Sequence, residues 1–231
     1  MPIRSCAYCG ATPAAERDHV PPKCLFGKPR PSLVTVPTCS SCHSATSLDD
    51  EYLRLVLTMR ADVANHPDVN AGVLASALRS LSKPEARSFA RRFLSTIRPV
   101  SIRSPAGLYI GQTGTYQADW QPVFRSIERT VRGLYFHHLG QCLGADYGVQ
   151  LFEDSFVRWA TMPEELKQNL KSMAIAVRSQ SPLYIGRAFR YHRFHTPEDA
   201  RVSVWMLVYF DRLFFLATTA PLLDPRRTVL S

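Results

Sequence analysis

The sequence predicts an α+β fold, and three observations lead to this prediction. Two Cys-x-x-Cys pairs frame a strand-like run, Leu33-Val-Thr-Val-Pro, near the N-terminus. Apolar residues recur at helical spacing through the middle of the chain. From residue 184 onward the sequence alternates apolar with basic or polar residues, which is typical of antiparallel strands. The 231 residues suffice for one large domain or for a small module joined to a larger one.

The N-terminal part is predicted to form one module over residues 1–60, and residues 61–231 a second, α+β domain. The stretch from Ser44 to Arg54 follows the second cysteine pair and has the pattern of a helix. The second domain has no motif that defines its role, so we expect it to position a substrate or to bind a partner.

Further along the chain, four helices and a β-meander are predicted. The helical patterns cover Asn70–Leu81, Pro84–Ile97, Val123–Leu139 and Pro163–Met173. The strand patterns cover Tyr184–Phe194, Arg201–Phe210 and Leu213–Thr219, with Asp211-Arg212 as a tight turn. The C-terminal part is therefore expected to be an antiparallel meander.

The paired cysteines predict a zinc site. Cys6 and Cys9 form one pair and Cys39 and Cys42 the other, with 29 residues between Cys9 and Cys39. Two such pairs supply four thiolates, and tetrahedral Zn²⁺ is the natural occupant of a four-thiolate site. A site closed by four thiolates has no open position, so this zinc would be structural. The alternative is that the four cysteines are buried thiols without a metal.

The charge of the chain points to a polyanionic partner. Lys and Arg number 28 against 19 Asp and Glu, a net charge of +9, and such an excess most often serves nucleic-acid binding. The chain has no long apolar run for a membrane span and no apolar core for a signal peptide near Met1. We therefore expect no membrane partner and a cytoplasmic protein.

The N-terminal motifs resemble the HNH nuclease family in its zinc-containing form. The matching features are an acid-His pair in Asp18-His19-Val20-x-Pro22, the run Cys39-x-x-Cys-His43, and the upstream cysteine pair. The resemblance covers roughly residues 1–55. It implies a ββα-metal fold for the N-terminal module and, for the chain, the activity of a metal-dependent endonuclease that hydrolyses phosphodiester bonds in DNA.

The resemblance also implies roles for individual residues. His19 would be the general base that activates water, which suits an imidazole near its ordinary pKa. Asp18 and His43 would bind a catalytic Mg²⁺, Mn²⁺ or another divalent ion. On a helix that begins near Ser41, Asp50 shares a face with His43, so Asp50 is a further candidate ligand. The alternative for Asp50 is membership of a solvated acidic turn.

One position departs from the family pattern. The family has a central asparagine, and no asparagine lies between His19 and His43; Ser32 stands about where it would fall. A serine hydroxyl provides fewer hydrogen bonds than an amide. An alternative is therefore a catalytically degenerate zinc protein that binds nucleic acid without cutting it. A zinc-stabilised protein–protein adaptor is a second alternative, which the net charge disfavours.

Several basic residues are candidates for nucleic-acid contacts. In a stretch of interleaved basic and aromatic residues, phosphate contacts and base stacking would combine, although an ordinary exposed strand face would have the same pattern. The candidates are Arg17, Lys23, Arg187, Arg190 and Arg193. DNA is the expected partner and RNA stays open. Cutting both strands would call for two copies, which makes a homodimer an open alternative.

Overall fold

The computed structural model describes residues 4–45, 47–153 and 162–222. Helices and strands are mixed along the chain, and an antiparallel sheet forms its C-terminal part, which confirms the predicted α+β class. The segments 154–161 and 223–231 of the predicted second domain lie outside the described residues.

A β-hairpin followed by two helices forms the N-terminal part. Strand β1 (Glu16–Val20) pairs antiparallel with β2 (Val34–Thr38), and His19 lies opposite Thr35 in the register. Helix α1 (Ser40–Ser44) follows directly, and α2 (Ser47–Thr58) comes next. The helix predicted as one element is thus two elements, and residues 43 and 50 do not share one helix. The face that was predicted from helical spacing to join them does not exist.

The central helices follow the predicted periodicity with shifted ends. Their bounds are α3 Leu74–Leu81, α4 Arg87–Leu94, α5 Trp120–Leu139 and α6 Glu164–Arg178. A π-helical turn, Val69–Val73, leads into α3, and a 3₁₀ turn, Pro84–Ala86, leads into α4. An exposed hairpin connects α4 to α5 and was not predicted; its strands are β3 Arg98–Arg103 and β4 Tyr109–Thr115.

Five antiparallel strands form the C-terminal sheet, in the order β5-β9-β8-β7-β6. They are β5 Tyr147–Glu153, β6 Leu183–Ile185, β7 Phe189–His195, β8 Ser203–Tyr209 and β9 Leu213–Pro221. The strand predicted over 184–194 is two strands, because Gly186 turns the chain with a φ of 60°. The predicted turn after β8 is present, with positive φ at Phe210 and Asp211.

Helix α5 joins the N-terminal hairpin to the rest of the molecule. Asp119 caps its first turn by accepting a hydrogen bond from the Gln121 amide, and Gly140 ends it in the left-handed conformation. Val20 of β1 packs directly on Gly133 of α5. One core of buried side chains includes residues of the hairpin, of α2, of α5 and of the C-terminal sheet. Among the described residues, no helix is long and apolar enough to cross a membrane.

Candidate metal centre and polar site

The four paired cysteines lie together at one end of the hairpin. The Sγ atoms of Cys6, Cys9, Cys39 and Cys42 all lie within 4.8 Å of one another, and those of Cys9 and Cys39 are 3.7 Å apart. Tetrahedral zinc with Zn–S bonds of about 2.3 Å requires a sulfur–sulfur separation of about 3.8 Å. The cluster therefore has the geometry and the donor chemistry that bind a metal such as zinc.

Backbone hydrogen bonds and turns hold these four thiols close together. The Gly10 amide donates to the Cys6 carbonyl at 2.9 Å and Gly10 has a φ of 73°, which closes the first turn. The Ala7 amide donates to the Pro37 carbonyl, also at 2.9 Å, and so fixes this turn to β2. Cys39 is the N-cap residue of α1. The hydroxyl of Ser41, 3.2 Å from the Cys39 sulfur, lowers the pKa of that thiol to about 6, which favours the thiolate.

The Asp18 carboxylate accepts hydrogen bonds from two other parts of the chain. Arg129 of α5 donates to its Oδ2 from Nε at 2.8 Å and from Nη2 at 2.5 Å. The Tyr8 hydroxyl donates to the same oxygen at 2.6 Å. Arg129 also donates from Nη1 to the Cys42 carbonyl. Asp18 would have to give up part of this pairing before it could bind a divalent cation.

The other two predicted ligands of a catalytic metal have separate partners. His43 lies beside Glu16, with 3.3 Å between Nε2 and Oε2, and both side chains are exposed. Asp50 accepts a hydrogen bond from the Ser126 hydroxyl at 2.6 Å. Burial raises the pKa of the Asp50 carboxyl to about 6, against the effect of the Ser126 hydrogen bond.

These three residues do not form one metal site as they are arranged. Within the part of the chain that the structure describes, the four cysteines are the only group of three or more thiols, imidazoles and carboxylates close enough to share an ion. Asp18, His43 and Asp50 therefore do not fit a common divalent cation in this arrangement.

His19, the predicted general base, lies on β1 and is half-buried. It lines a narrow crevice together with Tyr8, Ser126 and Arg129. Burial lowers the pKa of His19, and the nearby charge of Lys23 lowers it further. The lowered pKa favours the neutral imidazole, the form that can accept a proton. Ser32 is exposed in the loop that precedes β2.

The predicted nucleic-acid-binding residues have different surroundings. Arg17 is exposed and donates to the Thr35 hydroxyl at 2.6 Å, and Lys23 is exposed in the loop after β1. On the C-terminal side, Arg190 forms an ion pair with Asp211. Arg187 lies 3.7 Å from a carboxylate oxygen of Asp68, and Arg193 is half-buried on β7.

Sequence reasoning missed the contribution of α5. Ser126 and Arg129 reach the carboxylates of Asp50 and Asp18, and Gly133 admits β1. These positions are three, four and seven residues apart, which places them on one face of a helix. That buried face carries two hydroxyls (Ser126 and Thr130), a guanidinium and a glycine among apolar residues, and this is the signal that could have marked it.

No protein-family model, no curated protein and no solved structure matches this chain.

Proposed function

We propose that the chain acts on nucleic acid as a phosphodiester hydrolase in which His19 is the general base. The observation that carries this proposal is the position of His19: its imidazole lies on the hairpin, and the cations Lys23, Arg30 and Arg17 lie close enough to lower its pKa. The order hairpin, cysteine pair, helix supports the proposal, since this is the order that the resemblance to HNH nucleases implies.

The chemistry needs a base, a water molecule and positive charge near the phosphate. The imidazole of His19 takes one proton from the water as the water oxygen attacks phosphorus. The bond between phosphorus and the sugar oxygen breaks, its electron pair stays on that oxygen, and the oxygen takes a proton from solvent. Lys23 and Arg30 lie close enough to His19 to influence its pKa. Their charges would favour a bound phosphate and the negative charge that develops on it.

A divalent cation would supply further positive charge to the same reaction. Asp18, His43 and Asp50 are separated in this arrangement, so they do not hold such an ion together. The proposal includes DNA as the substrate because of the resemblance and the net charge of +9.

The test is a plasmid-nicking assay with purified protein, in EDTA and with added Mg²⁺ or Mn²⁺. We expect nicking that is lost in His19→Ala and retained in His195→Ala. His195 is an exposed histidine at the end of β7 and serves as the matched control. Nicking that persists in His19→Ala, at a rate equal to that of the unmodified protein, would refute the role of His19.

A second candidate function is nucleic-acid binding without hydrolysis. The pairing of Asp18 with Arg129 favours it, because it engages a carboxylate that the nuclease mechanism would assign to a metal. In this case the protein shifts DNA on a gel, His19→Ala shifts it equally, and neither protein nicks DNA with any metal. Binding that weakens steeply with added salt would show that phosphate contacts dominate.

A further inference from the structure

A cavity of about 370 Å³ lies beside the hairpin, between the loop after β1 and the helices α2 and α3. Its walls are formed by that loop, by one side of α2, and by the π-helical turn together with α3. Six of the residues that line it are Lys23, Phe26, Lys28, Arg30, Arg54 and Arg79. Its volume is within the range of pockets that bind small organic ligands.

The charge of the lining is strongly positive. Five of the lining residues are Lys or Arg and one is acidic. The acidic residue, Glu51, pairs with Arg54. Lys28, Arg30 and Arg79 are exposed, so their charged ends can reach a ligand at little cost in desolvation. A pocket with this composition selects an anion.

Arg54 is the unusual member of this group because it is 5% exposed. Its Nη1 donates to the Ser76 hydroxyl at 3.1 Å, and its Nη2 donates to the Ser80 hydroxyl at 2.8 Å. The Nε of Arg54 is buried and has no hydrogen-bond partner within the described parts of the chain. A buried donor without an acceptor is costly, and it belongs to a residue that lines the cavity.

Other residues of the lining are apolar and can contact the uncharged part of a ligand. Phe26 and Val73 are both almost fully buried and contribute apolar surface to the lining. A cavity lined by both cations and an aromatic ring fits a molecule that joins a phosphate to a flat or apolar group.

We propose that this cavity binds one nucleotide, with its phosphate held by the cationic residues and its base or sugar against Phe26. The phosphate can belong to a free nucleotide or to the 5′ end of a strand, and both present the same phosphomonoester. The cavity shares Lys23 and Arg30 with the surroundings of His19. The proposal stands on the cavity itself and does not depend on hydrolysis by His19.

The test is isothermal titration calorimetry of the full chain with thymidine 5′-monophosphate, with uncharged thymidine as the ligand control. The double variant Lys28→Ala/Arg79→Ala removes two exposed cavity charges and leaves the buried Arg54 in place, so its folding should be intact. Arg92→Ala, an exposed arginine of α4 outside the cavity, is the matched control. We expect saturable binding of the monophosphate, at least tenfold weaker in the double variant and unchanged in Arg92→Ala.

A second titration compares an oligonucleotide that carries a 5′-phosphate with the same oligonucleotide without it. If the monophosphate binds as expected, the cavity takes free nucleotides. Suppose instead that the monophosphate does not bind, and that the 5′-phosphorylated oligonucleotide alone binds more weakly to the double variant than to Arg92→Ala. The cavity then takes a strand end. The proposal is overturned if neither probe saturates, if thymidine binds as tightly as its monophosphate, or if Arg92→Ala weakens binding as much as the double variant.

Discussion

Arg129 of α5 holds Asp18 of β1 by two hydrogen bonds to a single carboxylate oxygen, at 2.8 and 2.5 Å. Both side chains are largely buried, at 10% and 15% exposure. The guanidinium also lies over the Tyr8 ring, with its carbon 4.2 Å from the ring centre. This pair joins the hairpin that carries His19 to the longest described helix of the chain.

Breaking this pair from one side should be strongly destabilising. Arg129→Met leaves the Asp18 carboxylate buried without its cation, which typically costs about 3–5 kcal/mol. We expect a loss of that size in the free energy of unfolding, measured by urea denaturation. The slope of this free energy against urea concentration should be unchanged.

The double variant Asp18→Asn/Arg129→Met is the informative control for this prediction. Removing both charges leaves no uncompensated ion, so the double variant should be more stable than Arg129→Met alone. Equal stability of the two variants would show that Asp18 does not depend on Arg129.

Breaking the four-cysteine cluster, and with it the zinc that we expect there, should destabilise the whole chain. Cys39→Ser removes one thiolate of the four, and we expect less than one zinc per chain by elemental analysis. If the site loses about 4 kcal/mol, the melting temperature falls by about 8–16 °C in a chain of this size. Cys142→Ala is the control, since Cys142 lies beside Gly10 of the first turn but outside the cluster. A full zinc content in Cys39→Ser would contradict the four-cysteine site.

Because the Asp50 carboxyl is buried, the free energy of unfolding should fall as the pH rises and this carboxyl ionises. Burial raises the pKa of the folded carboxyl to about 6 from an ordinary 3.8, so the folded state retains its proton more firmly than the unfolded state. The stabilising effect of this proton is complete below about pH 4, is lost progressively up to about pH 6 and is absent above that.

The variant Asp50→Asn tests the direction of this change in stability with pH. It cannot ionise and still accepts the hydrogen bond of Ser126, so it should exceed the unmodified protein in stability at pH 7.5 by up to about 2–3 kcal/mol. The difference should vanish near pH 4. Urea denaturation at both pH values measures it, and an Asn variant that is less stable at pH 7.5 would reverse the expected sign.

Gly133 should not tolerate a side chain. A Cβ at this position would lie 2.5 Å from Cγ2 of Val20, which is fully buried. Overpacking of this kind typically costs about 1–3 kcal/mol, so Gly133→Ala should lower the melting temperature. Val20→Ala in the same chain should recover part of the loss, while Gly111→Ala, with open space around it, should have little effect. A wild-type melting temperature in Gly133→Ala would show that β1 and α5 are not in close contact.

The parts of the fold that local pattern determines were predictable from the sequence. The cysteine spacing was enough to predict the cluster, and the apolar periodicity from Val123 onward predicted α5 within three residues of its start. The β3–β4 hairpin was missed because its residues are almost all exposed. Without a buried face, a strand has no alternation of apolar and polar residues to reveal it.

The candidate site was harder to predict because its contacts are distant along the chain. Asp18 and Arg129 are separated by 111 positions, and Asp50 and Ser126 by 76. No spacing rule relates residues so far apart, and a guanidinium on a helix is ordinarily solvated. The proposed relation of His43 to Asp50 failed for a local reason, since they belong to the separate helices α1 and α2.

The hydrogen bond from Arg129 to the Cys42 carbonyl spans 87 positions, and this separation has a consequence for the chain as it is synthesised. At about 5–20 residues per second, a ribosome adds Arg129 roughly 4–17 seconds after Cys42. During that interval all four cysteines have been made, while Arg129, the partner of the Asp18 carboxylate, has not. The cysteine cluster can therefore bind a metal before the pairing of Asp18 with Arg129 is complete.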